Sequence, residues 1–431
     1  MLKFITVALF FVALASQASA QNTGANDFKP VALNTLEKEA RSKTGAKPRV
    51  TLANTLNIKN ADPLGSANSP NYILALAQTT KSAQQYADLV QTFVFGGTVK
   101  SETKMAMGLR IAQMYGSPYL YAQTSRWIRS TEHGNGLLAN WDGRRSFDAS
   151  EIRALVYAEK LTNDIHGVTD SDFADVRGSF NDSQIVELTM TVCFFNHFVR
   201  LAEGLNLPVE AWVLDDRSPK AADFAAFQVP RARISLVSDR ELDAGALALA
   251  NIKQAQTAPA GQGLGIAIAN SQRAMMRVPD LQAAWRDFGN QNRTTWSIER
   301  NIQLQISFAV SMANGCRYCT LHQVLGLRRL GVDPKKLLAM KKDDSALTPR
   351  EMTAVEFARK LTRQPSTVSD DDFAALKKEF GETGAVEVIL QTGAFAFMNR
   401  FTDGLRLPSE DEAVTTYKEI YGDGSLKQYK F

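Results

Sequence analysis

The chain repeats itself at a spacing of about 200 residues, and this duplication limits its fold more than any other feature. "EIRALVYAEKLT" from Glu151 returns as "EMTAVEFARKLT" from Glu351. "VTDSDFADVRGSF" (Val168) returns as "VSDDDFAALKKEF" (Val368), and "RLAEGLNLPVE" (Arg200) as "RFTDGLRLPSE" (Arg400). Glu187 pairs with Glu387, Phe195 with Phe395, Gly204 with Gly404 and Pro208 with Pro408. So long an in-register match is a duplicated domain and not a short solenoid unit. A chain of this length is also too long for one ordinary core.

Both copies read as helical. Met352, Val355, Ala358 and Leu361 recur at helical spacing, behind Thr348 as N-cap, Pro349 at the first helical position and Glu351 in capping-box register. Ser369 or Asp370 caps the next helix, and a long apolar helix ends near Gly404 and Pro408. No convincing strand alternation occurs; "RVTL" (Arg49) and "RISLV" (Arg233) are short extended candidates. The predicted fold is all-α, as two tandem domains at 68–214 and 268–415. Around them lie a signal peptide (1–20), an N-terminal extension (21–67, mobile to about residue 45), a linker (215–267, including "QTAPAGQGLG") and a C-terminal tail (416–431).

The first 20 residues carry Lys3, an apolar run from Phe4 to Ala15, and Ala18-Ser19-Ala20, the plan of a secretory signal with an A-x-A cut. No cysteine follows the cut, which argues against a lipid anchor. No later segment has the length and purity to span a membrane. The expectation is a soluble periplasmic or secreted protein. Cleavage removes Lys3 and takes the net charge from +4 to +3, too little to attract nucleic acid.

One difference between the two copies bears on chemistry. "MYGSPYLYAQT" from Met114 aligns with "MANGCRYCTLHQ" from Met312. Gly116 meets Gly315 and Tyr119 meets Tyr318, whereas Ser117, Leu120 and Gln123 stand where the second copy has Cys316, Cys319 and His322. Helical spacing stacks those three side chains on one face. Two thiols and an imidazole are a reactive cluster, a metal site or a coincidence. Zinc would lack an evident fourth ligand. Covalent haem needs histidine where Thr320 stands. No metal or bound cofactor is expected. The local physics favours a Cys316 thiolate, because Asn314-Gly315 can open a helix at that residue and Arg317 adds positive charge. His322 is placed to accept the Cys319 proton or hold it as an ion pair.

Residues "NGCRYCTLH", "LTPREMTAVEFARKL" and "FAFMNRFTDGLRLP" make the chain resemble the alkylhydroperoxidase D-like, or carboxymuconolactone decarboxylase-like, superfamily. The resemblance covers both copies. It implies an all-α fold with the CxxC at a helix start beside a hydrophobic cleft, and homo-oligomers, often trimers. In the peroxidase branch the second cysteine attacks the peroxide and the first resolves it, so Cys319 would be peroxidatic and Cys316 resolving. Other members decarboxylate a lactone without the pair. The branch's relay histidine falls at Gln323, its relay glutamate at Leu304 between Gln303 and Gln305, and its inter-cysteine histidine at Tyr318. The expected function is an exported thiol oxidoreductase that reduces hydroperoxides or exchanges disulfides with an unidentified thiol donor. The alternatives are a lyase acting on a small lactone or acid, and a non-catalytic binding or assembly protein. Cys193 and His197 read as core residues, His133 and His166 as loop residues, and Met275 and Met276 as packing. Glu387 reads as structural because Glu187 repeats it, and Glu299 has no evident aim.

Overall fold

The computed structural model describes residues 28–54, 56–80, 82–141, 147–215 and 268–429. The segment read as a signal peptide, the extended candidate "RISLV" and the segment read as a linker near residue 260 lie outside them. After α1 (Leu33–Ser42), the first copy runs α2 (Asn71–Thr79), α3 (Ala83–Val90), α4 (Ser101–Tyr115), α5 (Pro118–Arg129), α6 (Gly134–Ala139), α7 (Ala149–Asn163), α8 (Asp170–Arg177), α9 (Asp182–Gly204) and α10 (Ala211–Asp215). The second runs α11 (Asn270–Met275), α12 (Pro279–Thr295), α13 (Arg300–Asn314), α14 (Arg317–Arg329), α15 (Pro334–Lys342), α16 (Pro349–Arg363), α17 (Asp370–Gly404) and α18 (Asp411–Tyr421). Among the described residues there is no strand, only an isolated Thr44–Val209 bridge. The extended candidate at Arg49 is irregular backbone.

Local chemistry repeats with the sequence. α7 and α16 both open on capping boxes, Asp148 with Glu151 and Thr348 with Glu351. α4 and α13 both end on a left-handed glycine, Gly116 at φ 61° and Gly315 at φ 71°. The amides that follow, Ser117 N–H and Cys316 N–H, reach back to Ala112 O and Ser311 O at 2.9 Å each. That is a Schellman turn in each copy, and only glycine takes its central conformation without strain. α17 covers the sequence of both α8 and α9, and is broken at Gly381 (φ 70°, ψ 178°), beside the position where Asn181 caps α9 in the first copy.

α9 and α17 pack along each other at the centre and join the copies. α9 is long and apolar enough to cross a membrane, contrary to the sequence expectation, but its apolar window is wholly buried in the fold. The buried Arg200 donates to Thr362 O (2.7 Å) and Arg400 to Thr162 O (3.2 Å), and both guanidinium groups reach the Tyr115 hydroxyl. Farther out, Arg49 bonds Val368 O and pairs with Asp370, while Arg406 bonds Val168 O and pairs with Asp170. The copies therefore pair as a pseudo-twofold dimer within one chain.

Two boundaries are corrected. The segment read as mobile to about residue 45 contains α1, whose Leu36 and Ala40 are buried as α1 packs on α5. The tail read as starting at 416 cuts through α18, whose Tyr417 is buried with Leu304, Phe308, Leu321 and Val324. The apolar residues of both segments are few but correctly spaced, so a docked helix outweighs local polarity.

Candidate functional site

The Gly315 turn delivers Cys316 to the N-cap of α14, where its sulfur accepts the Cys319 N–H at 3.3 Å. Ser117 does the same for Leu120 N–H in the first copy, also at 3.3 Å. The thiols of Cys316 and Cys319 both lie 3.4 Å from Thr402 Oγ1 on α17. The Thr402 hydroxyl can itself donate to Met398 O at 2.9 Å, which leaves its oxygen facing two S–H groups. Asp403 follows: Oδ1 lies 3.2 Å from Cys316 Sγ, and Oδ2 accepts the Arg317 N–H at 3.3 Å. All three cysteines are free thiols, with Cys316 0% and Cys319 3% exposed.

This arrangement works against a Cys316 thiolate. Burial pushes the Cys316 thiol well above its ordinary value, and its hydrogen bond with Cys319 and the Asp403 charge push the same way. The helix N-terminus does not outweigh them, so the local expectation for Cys316 is corrected. Cys319 is left as the candidate nucleophile.

His322 lies on the same helix but turns elsewhere. Its Nδ1 is 2.7 Å from Tyr318 O, its Nε2 is 2.6 Å from Glu410 Oε2, and its ring stacks on Tyr318 at 4.1 Å. A carbonyl only accepts, so Nδ1 carries the hydrogen, and Nε2 is turned to the Glu410 carboxylate. Neither nitrogen is left to take a proton from Cys319 directly. Glu410 also accepts from Tyr318 Oη (3.0 Å) and Asn270 N–H (2.6 Å). Burial alone would raise Glu410, but the hydrogen bond and charge of His322 prevail and hold it below the usual carboxylate range. The first copy keeps the frame without the imidazole. Glu210 accepts from Tyr119 Oη (2.8 Å) and Gln123 Nε2 (3.1 Å), and burial pushes it up to about 7.

Helical spacing around the cysteines does not point to Glu410, Thr402, Asp403 or the role of His166. Glu410 is the last residue of the repeated "RLPSE", matched by Glu210, and that repetition was its signal. His166 does sit on the loop between α7 and α8, but its side chain is only 3% exposed, with Nε2 2.8 Å from Asp403 Oδ2 and Nδ1 3.6 Å from Asp164 Oδ1. The first copy thus reaches into the thiol site of the second.

The remaining candidates lie elsewhere. Glu387 accepts the N–H groups of Ser297 and Ile298, a structural cap ahead of α13, as its repetition suggested. Glu299 is half exposed and pairs with Arg350. Leu304 packs with Phe308 and Leu321. Gln323 is buried one turn beyond Cys319. Cys193 is a core thiol pushed well above its ordinary value by burial. His197 bonds Tyr86 Oη at 3.2 Å, and burial lowers it to about 3. His133 is exposed and Met275 is packed in the core. Among the described residues no group of His, Cys, Asp and Glu side chains is arranged to hold a metal ion. Two surface hollows, one at Leu338 and Tyr421 and one at Glu356 and Gln364, do not include the cysteines.

Residues 279–360, from α12 to α16, match the model of the carboxymuconolactone decarboxylase family. The second copy, which carries the cysteines, belongs to that superfamily. Two solved structures are similar to the chain: a variant of the debrominase Bmp8 in complex with 2,3,4-tribromopyrrole and the apo form of Bmp8. Each is 22% identical with a TM-score of 0.37; they cover 43% and 42% of this chain and 97% and 95% of their own. No curated protein matches.

Proposed function

We propose that the protein is an exported thiol oxidoreductase whose second copy cycles Cys316 and Cys319 between dithiol and disulfide. The observation that carries this reading is the convergence of both sulfurs on Thr402 Oγ1, 3.4 Å from each. Cys319 attacks a hydroperoxide, the O–O bond breaks, and the products are a Cys319 sulfenic acid and an alcohol or water. The Thr402 hydroxyl turns to donate to the thiolate. Cys316 then attacks the Cys319 sulfur and the oxygen leaves as water. An external dithiol reduces the disulfide, and the signal-like N-terminus supports a cycle run in the periplasm or outside the cell. The His322–Glu410 pair steadies the first turns of α14 through Tyr318. The pseudo-dimer is the unit of a symmetric homo-oligomer, a trimer on the family resemblance.

The test is peroxide consumption driven by dithiothreitol. Cys319→Ser should abolish it. Cys316→Ser should stop turnover after one equivalent and leave a sulfenic acid that dimedone labels. The family match favours a second reading, a lyase acting on a small lactone or acid. Lactone turnover that survives replacement of both cysteines would establish that reading in place of the first.

A further inference from the structure

We propose that the cysteine-free copy completes the thiol site: His166 holds the Asp403 carboxylate against Cys316, so that Asp403 takes the Cys316 proton as the disulfide closes. The inference rests on the dithiol reading above and assigns a part of that cycle.

The geometry is a chain of three side chains from three elements. His166 Nε2 donates to Asp403 Oδ2 at 2.8 Å, and Asp403 Oδ1 lies 3.2 Å from Cys316 Sγ. Both the imidazole and the carboxylate are nearly sealed from water, with side chains 3% and 6% exposed. Behind His166, Asp164 Oδ1 accepts the His166 backbone N–H at 2.9 Å and lies 3.6 Å from Nδ1. The other groups facing this path are Cys319 and Thr402 beside Cys316, the Arg317 amide on Asp403 Oδ2, Arg400 toward Asp164, and the Tyr429 phenol from the C-terminal segment.

The repeat shows that the histidine follows the thiol. The counterpart of Asp403 is Glu203, which accepts the Ser117 hydroxyl at 2.7 Å and is served on its other oxygen by Lys43 at 3.4 Å. The counterpart of His166 is Ser366. An imidazole thus appears on the acid next to the cysteine, and a lysine on the acid next to the serine. A buried carboxylate that only capped a helix would not need a group able to trade a proton.

In the resolving step the Cys316 sulfur attacks the sulfur of the Cys319 sulfenic acid. The S–S bond forms as the S–O bond breaks. The Cys316 proton passes to Asp403 Oδ1 and on to the departing hydroxide, which leaves as water. The Cys316 sulfur is oxidised, the Cys319 sulfur is reduced from its sulfenic state, and no other reactant is needed. His166 is a positioning residue, because it acts through Asp403.

The test uses the full mature chain carrying Cys193→Ser, treated with one equivalent of hydrogen peroxide and quenched at intervals with dimedone and an alkylating agent. His166→Ala should slow disulfide closure by about tenfold or more, the order expected when a general base loses its orientation. It should leave Cys319 oxidation within about twofold of the parent. His166→Gln, which keeps an N–H donor, should restore most of the closure rate. Asp403→Asn should slow closure although the neighbouring thiol then ionises more easily. A folded His166→Ala protein that closes at the parent rate overturns the inference. A parent whose Cys319 is never oxidised overturns the thiol reading itself, and this inference with it. If His166→Ala does not fold, the imidazole signals of the four histidines in the unsubstituted protein decide. The His166 ring signals should differ in position between the dithiol and disulfide forms at one pH, and identical positions overturn the inference.

Discussion

Ser117, Leu120 and Gln123 against Cys316, Cys319 and His322 amount to three side-chain changes on one backbone, and each neighbour has adjusted to them. The sulfur of Cys316 caps its helix as the Ser117 oxygen does, but in a dry, acidic setting that holds the thiol protonated. With Cys193 and Cys319 replaced by serine, iodoacetamide should label Cys316 at pH 7–8 at least about tenfold more slowly than it labels a free cysteine. Asp403→Asn should speed that labelling, and a parent rate equal to that of free cysteine would contradict the placement of Asp403. Glu210 and His197 set opposing pH dependences. Glu210 lies at about 7 in the fold against 4.5 ordinarily, so its contribution to stability is complete below 4.5 and lost as pH rises through 7. The gap corresponds to about 3 kcal/mol. His197 falls to about 3 from 6.5, so its contribution is present above 6.5 and lost as pH falls toward 3. Between 4.5 and 6.5 the two offset. Urea denaturation should therefore show Glu210→Gln gaining stability with pH across that window, where the parent stays nearly flat; parallel curves would refute the assignment.

At the scale of elements, what could be read in advance was what neighbouring residues decide. Thr348 with Glu351 and Ser369 at the next start act over one turn of backbone, and each lies where its chemistry placed it; the helix does end at Gly404, but Arg406 and not the glycine takes the left-handed turn, at φ 49°. Thr348→Ala should cost about 1 kcal/mol, read from chemical denaturation. The break at Gly381 takes a conformation nearly reserved for glycine, so Gly381→Ala should cost about 1–3 kcal/mol although open space surrounds the position. What escaped the sequence depends on distant docking. Glu410 meets His322 only because α18 folds back over α14. His166 meets Asp403 across 237 residues, through the pairing of the two copies. α1 escaped because its short polar helix has value only against α5. The aim of His322 was misjudged for a related reason: its spacing from Cys319 is helical, but Glu410 and the Tyr318 carbonyl decide where the ring points.

At the scale of the whole molecule, the duplication is a dimer made permanent. One continuous core draws residues from both copies, and the buried guanidinium groups of Arg200 and Arg400 depend on carbonyls of the opposite copy. Residues 268–431 alone would expose the α17 face and leave Arg400 without Thr162 O, so that fragment should not fold. Losing a buried hydrogen bond from a charged group typically costs about 1.5–3 kcal/mol. Calorimetry of the full chain should show one transition, and two separable transitions would contradict the shared core. The degenerate copy then has two tasks, to bury the central helix of its twin and to supply a side chain to the thiol site. The central claim is that Cys316 and Cys319 form one working redox pair. The most direct measurement is mass spectrometry of the purified protein after mild peroxide and differential alkylation. The account predicts a single reversible Cys316–Cys319 disulfide with Cys193 still reduced; equal labelling of all three thiols before and after oxidation would contradict it.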